Sequence, residues 1–234
     1  YEDTNIEALK GISFEVQKGQ TLAIIGNTGS GKSTILELIG RLYDVQKGDI
    51  KVDGKPIQSL NLNSLRSSIG FVPQDPFLFS DSLRNNIKFG KNKASDDEVK
   101  RASKMAVVHD NIINFKNGYD TVLGERGITL SGGQKQRVSI ARAFIKNPQI
   151  LLLDDCLSAV DTETEEQILN NIELVTKGKT TIIVSHRISS AKNADMIVVL
   201  NNGIITQQGA HQELINVEGY YKELYQNQLQ EISS

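Results

Sequence analysis

Two rhythms of apolar and polar positions alternate along this chain. Ile12, Phe14 and Val16 are separated by polar neighbours, the period-two pattern of a half-buried strand. Residues 21–25 form a short apolar run that ends at Gly26, and a helical rhythm follows from Lys32 to about residue 42. Residues 50–52 and 69–72 read as short strands. Residues 150–153, 181–184 and 196–200 are unbroken runs rich in Ile, Leu and Val, as in parallel strands covered on both faces. Helical patterns follow two of these runs. One spans residues 162–175, with Asp161 placed to cap it, and the other is the short stretch 188–191. Strand followed by helix, repeated, predicts an α/β domain with crossover connections.

The middle of the chain behaves differently. From residue 76 to residue 147 the strand signals vanish. Ser95 and Glu98 have the spacing of a capping box, which predicts a helix running to about Met105. Residues 110–115 read as a second helix. A longer one begins at Ser131 and stops before Pro148. The pattern predicts an α/β core over 1–75 and 148–234, interrupted by a helical insertion over 76–147. Residues 220–234 read as a polar helix that frays.

Composition narrows the class. The 234 residues suit one domain with an inserted subdomain. Hydrophobic residues make up 38% and charged residues 23%, which points to a folded globular chain. A formal net charge of -2 argues against a nucleic-acid partner held by basic charge. The one cysteine, Cys156, excludes an intrachain disulfide and reads as a small packed residue. No apolar run approaches the ~18 residues of a spanning helix, so no direct membrane insertion by this segment is expected. The first residue is Tyr1 and not Met, which reads as a piece of a longer protein.

Candidate chemistry begins at Gly26, Asn27, Thr28, Gly29, Ser30, Gly31, Lys32, Ser33 and Thr34. They fit the phosphate-loop pattern G-x-x-x-x-G-K-[ST] and lie between an apolar strand and a helix, where the pattern has its mechanical meaning. Glycines let successive backbone N–H groups face an anion, and the helix start adds partial positive charge. Lys32 is placed to reach the β- and γ-phosphates of a nucleotide and the Ser33 hydroxyl to ligate Mg²⁺. Asp154 ends the apolar run 150–153. That puts it at the strand edge where open α/β sheets bind ligands, with Mg²⁺ binding as its role.

Leu130, Ser131, Gly132, Gly133 and Gln134, followed by Lys135, Gln136 and Arg137, resemble the signature of the ATP-binding cassette (ABC) family. Other matches follow that family's order. Gln74 resembles the glutamine loop. Ser158, Ala159, Val160 and Asp161 resemble the D-loop. His186 resembles the switch histidine, and Tyr1 lies at the spacing of the aromatic residue that stacks on adenine. Gly124, Glu125, Arg126 and Gly127 resemble the X-loop of exporters of the multidrug-resistance type. The resemblance implies a P-loop NTPase (RecA-like) α/β core with a small antiparallel β subdomain and an inserted α-helical subdomain. It also implies ATP and Mg²⁺ as ligands, and a second nucleotide-binding domain as partner. In that arrangement two chains face head to tail, and the signature of each acts in trans on the ATP of the other. Membrane domains would dock through coupling helices near residues 75–79, and the chain would lie at the cytoplasmic side of the cell membrane, the inner membrane of a bacterium.

The resemblance gives further roles. Gln74 becomes a Mg²⁺ and water ligand at a hinge, and His186 a γ-phosphate contact that helps orient water. Asp155 occupies the place of the usual general base, which is Glu in the family. Aspartate keeps a similar proton affinity but is one methylene shorter, and general-base catalysis depends on a heavy-atom distance near 3 Å. Two outcomes follow: a slowly or non-hydrolysing regulatory half of a heterodimeric exporter, or a homodimer that tolerates Asp. Cassette proteins of DNA repair or translation are the alternative class. They carry coiled-coil insertions or tandem cassettes, which this sequence lacks.

Overall fold

A computed structural model describes residues 6–124 and 130–233. Tyr1, Glu125, Arg126 and Gly127 lie outside the described residues. In chain order the elements are β1 (Thr21–Gly26), α1 (Lys32–Ile39), β2 (Lys51–Val52), β3 (Lys55–Pro56), α2 (Leu62–Ser68) and β4 (Ile69–Val72). Then come α3 (Leu83–Lys88), α4 (Asp96–Met105), α5 (His109–Ile113), α6 (Gly132–Ile145), β5 (Ile150–Asp154) and α7 (Thr162–Val175). The last are β6 (Thr180–Val184), β7 (Met196–Asn201), β8 (Ile204–Gly209), α8 (His211–Leu214) and α9 (Tyr220–Ser233). They fall into two compact units, Tyr1–Ile69 with Gly178–Ser234, and Gly70–Lys177.

The first unit is built on the strand order β6-β1-β7-β8. β1 runs parallel to β6 and to β7, pairing Ile24 with Val184 and Val198, and β8 returns antiparallel to β7. Leu22, Ala23, Ile24 and Ile25 are all fully buried, so their continuous apolar run meets packing on both faces of the sheet. On one side Ala23, Ile25, Ile197 and Val199 meet Ile188, Ala191, Leu214 and Tyr221 in a single cluster. A small antiparallel ribbon pairs Lys51 with Pro56 and Val52 with Lys55. Asp53 and Gly54 turn it with φ of 49° and 74°, the positive values at both central positions that a tight hairpin requires.

The second unit holds β5 beside β4, with helices α3 to α7. α4 begins as its sequence predicts: the Ser95 hydroxyl accepts from Glu98 N, and the Glu98 carboxylate accepts from Ser95 N. α6 buries Val138, Ile140, Ala141, Phe144 and Ile145, and it packs on α3 and α4. The mixed α/β core with parallel strands, the small antiparallel pair and the helical parts are the class the sequence predicts.

Several local expectations change. Residues 12–16 keep the predicted alternation, with Ile12, Phe14 and Val16 half-buried between exposed neighbours, yet they form no strand. Alternation reports burial on one side, and a strand also needs a ladder partner. α1 stops at Ile39, because Arg41 takes a left-handed φ of 49° and Leu42 N reaches back to Glu37 O, closing the helix in a Schellman motif. Residues 188–191 form turns and no helix, with Ala191 N and Lys192 N both donating to Ile188 O. α9 runs from Tyr220 to Ser233, and its first turn is held by the fully buried Tyr221.

Candidate functional site

In the first unit the parallel register of β1 and β6 sets the geometry. Ile24 pairs with Val184, so both strands release their chains at the same edge of the sheet. Two residues beyond that pair stand Gly26, which opens the phosphate loop, and His186. Ser185 N still donates to Ile24 O at 3.2 Å, which ties the two departures together. Pairing between distant segments thus gathers Gly26 and His186 at one edge, the place at which open α/β sheets take ligands.

The loop itself has a specific shape. Gly26 and Ser30 are buried, and Asn27, Thr28 and Gly29 are exposed. Gly31 has φ 100°, and a Cβ there would meet Ala8 O at 2.6 Å, so only glycine fits both the angle and the space. Gly31 is also the N-cap of α1, and it carries no side chain over the first-turn N–H groups. Lys32 Nζ donates to Gly26 O at 2.8 Å and to Asn27 O at 2.7 Å, folding its ammonium over the loop. The Ser30 hydroxyl is buried and makes no hydrogen bond among the described residues. An uncapped helix start, an ammonium and a buried hydroxyl without a partner form a donor set that suits phosphate oxygens.

In the second unit, Asp154 ends β5 and is 6% exposed. Asp155 follows with φ 41°, a left-handed conformation that aspartate tolerates better than longer side chains. Ser158 then turns back, its hydroxyl donating to Asp155 O at 3.0 Å. Asp161 caps α7, accepting from Thr164 N at 2.9 Å. That backbone bond holds the Asp161 carboxyl below its ordinary range, and the Arg137 charge acts in the same direction. Burial pushes the Cys156 thiol up, so it stays a neutral packed group.

The segment resembling the signature starts α6. The Ser131 hydroxyl accepts from Gln134 N at 3.2 Å and the Gln134 side chain accepts from Ser131 N at 3.1 Å, a reciprocal cap. Leu130 is buried, while Ser131 and Gly132 are exposed and bring the helix start to the surface. Sequence reasoning gave no role to Gln136. It is buried, its Oε1 accepts from Ala159 N at 3.2 Å, and its Nε2 lies 3.5 Å from Gln74 O. One amide thereby joins the start of α6 to the segments around Gln74 and Ala159 within this unit. The only hint in the sequence is that a polar residue sits at a core-facing position of α6. Gln74 itself is exposed. Among the described residues no cluster of three or more His, Cys, Asp or Glu forms a metal cage. The predicted Mg²⁺ donors Ser33, Gln74 and Asp154 are instead a hydroxyl, an amide and a carboxylate, oxygen donors of the kind Mg²⁺ takes alongside water and phosphate.

The family model for ABC transporters matches residues 9–158, and the chain belongs to that family. ABC domains bind ATP, generally with Mg²⁺, and their ATP-binding domains are ATPases. The chain is 51% identical over 222 residues to the ATP-binding cassette sub-family B member 6 of Xenopus tropicalis, covering 95% of this chain and 26% of that protein. It is 49% identical over 225 residues to a putative multidrug export ATP-binding/permease protein of Staphylococcus aureus, covering 96% and 39%. A bacterial Atm1-family ABC exporter solved with ATP bound superposes with a TM-score of 0.92 at 46% identity, covering 94% of this chain and 39% of that one. The chain thus spans between about a quarter and two fifths of these relatives. Among the described residues no helix is long and apolar enough to cross a membrane.

Proposed function

We propose that this chain is the ATP-binding and ATP-hydrolysing motor of an ABC exporter, pairing on ATP with a second nucleotide-binding domain to drive membrane domains outside the segment. The carrying observation is the phosphate loop, with Lys32 folded over its carbonyls, leaving the sheet at the same edge as His186. In this reading residues 26–34 hold the phosphates, and Ser33, Asp154 and Gln74 hold Mg²⁺, which supplies charge neutralisation when bound. Asp155 accepts the proton of the attacking water, and His186 contacts the γ-phosphate. The helix start at Ser131, Gly132 and Gly133, exposed at its first two residues, acts in trans, with the D-loop, residues 158–161, beside it. Tyr1 stacks on adenine. Two-fold pairing lets one surface complete its own counterpart, so ATP joins two copies or two related chains.

The functional division assigns 1–75 and 148–234 to the ATP-binding core and 76–147 to the signature-bearing insertion. Coupling helices of the membrane domains dock near residues 75–79, where Phe77 is 58% exposed. The chain works at the cytoplasmic face of a membrane, the inner membrane in a bacterium. Relatives at about half identity whose names carry multidrug export or ABC exporter support this placement.

Phosphate release from Mg²⁺-ATP, followed across protein concentration, tests the reading. If pairing completes the site, turnover per chain rises with concentration and disappears in Lys32→Ala. Turnover independent of concentration, or retained without Lys32, overturns it.

A further inference from the structure

α9 carries an apolar stripe that ends in an amide. Tyr221, Leu224 and Tyr225 occupy one helix face at spacings of three and four residues. Tyr221 is fully buried in the cluster that contains Ile188, Ala191 and Leu214, and Leu224 and Tyr225 pack against it. The next position of that face is residue 228, where the stripe calls for another apolar side chain. The residue there is Gln228.

Both ends of its carboxamide bind the chain beyond β6. Gln228 Nε2 donates to His186 O at 2.9 Å, and Gln228 Oε1 accepts from Ile188 N at 2.8 Å. The two bonds close around Arg187, whose own N–H donates to Ser185 Oγ at 3.0 Å. A flipped amide would set NH₂ against N–H and carbonyl against carbonyl, so both bonds require this one orientation. Past Ser185, which still donates to the β1 backbone, the chain leaves the sheet. The Ser185 hydroxyl and, from forty residues on, the Gln228 amide both bind its backbone.

We propose that Gln228 is a positioning residue for His186, so that α9 sets the backbone from which the imidazole reaches the edge where β1 opens the phosphate loop. The inference rests on the γ-phosphate role given to His186 above. A plain anchor for α9 would need no polar group here, because a leucine would continue the stripe. An amide that takes both backbone partners fixes the direction of the loop as well as its position. Displacement of α9 therefore changes the placement of His186.

Gln228→Leu and Gln228→Glu in the full chain test this. Leucine extends the apolar stripe and removes both bonds. Glutamate keeps the acceptor for Ile188 N, loses the donor and sets a carboxylate against the His186 carbonyl. Phosphate release, melting temperature and histidine ring NMR are the readouts. The chain has 3 histidines, and His186→Ala identifies the relevant signal. Both variants are expected to lower kcat by about two- to tenfold, the kinetic equivalent of about one net hydrogen bond. KM for ATP stays unchanged, the melting temperature falls less in Gln228→Leu, which gains apolar contact, than in Gln228→Glu, and the His186 ring signal moves while that of His109 does not. If His186→Ala lowers turnover but neither Gln228 variant does, the positioning role is overturned and the proposed function stands. If His186→Ala itself leaves turnover intact, the role of His186 fails first.

Discussion

Gly133 lies so close to Ala159 that a Cβ built on it stands 2.7 Å from the Ala159 carbonyl oxygen. The neighbour is backbone, so no rotamer change relieves the contact, and the N–H of the same Ala159 donates to Gln136 Oε1. The start of α6 and the segment 158–161 are thus fitted to each other. Gly133→Ala is expected to cost about 1–3 kcal/mol as overpacking. It should also displace the exposed helix start. Thermal unfolding reads the first effect. Loss of ATP-dependent pairing in sedimentation, with ATP binding by the single chain retained, reads the second.

Lys32 donates to two carbonyls of its own loop, Gly26 O and Asn27 O. A nucleotide offers the ammonium stronger, charged acceptors. Lys32→Ala is expected to weaken ATP binding by about thirtyfold, taking about 2 kcal/mol for the lost charged hydrogen bonds. Titration with a fluorescent ATP analogue measures this. Undiminished affinity would remove Lys32 from the phosphate site.

The left-handed φ of 41° at Asp155 makes Asp155→Glu a two-sided experiment. Glutamate gives up the short polar side chain that suits this conformation, so stability is expected to fall by about 1 kcal/mol. It also gains a methylene of reach, and turnover is expected to rise by about tenfold or more, within the span of general-base contributions. A variant that loses stability without gaining turnover would show that side-chain length is not what limits hydrolysis.

Asp161 gives a pH dependence with a definite sign. Its carboxyl titrates lower in the folded chain than its ordinary 3.8, chiefly because it accepts from Thr164 N. A lowered carboxylate stabilises the fold above the unfolded-state value, and that stabilisation is lost as pH falls through the lower folded value. The melting temperature is therefore expected to drop as pH falls from about 4 downward, and to drop less steeply in Asp161→Asn, which keeps a capping oxygen without the charge. Equal slopes for the two proteins would exclude the contribution.

Signals carried by neighbouring residues could be read directly. The cap at Ser95 and Glu98, the cap at Asp161 and the glycine pattern before Lys32 each act within a few positions, and each took the predicted form. β8 was missed because its burial alternates weakly at the edge of the sheet. Residues 12–16 were overread because one-sided burial mimics a strand. Gln136 and Gln228 stayed hidden, since a lone glutamine in a helix says nothing about which backbone groups it meets.

The sequence by itself determined the class of the chain, the strand-loop-helix turn from β1 into α1 and the caps of α4, α6 and α7, because these depend on local periodicity, glycine freedom and capping. Only the tertiary structure decided that β1 and β6 release Gly26 and His186 at one edge, that Gly133 abuts Ala159, and that Gln228 holds the backbone around Arg187. Those relations join residues tens to more than a hundred positions apart. They are fixed by strand register and close packing, which no short window of sequence encodes.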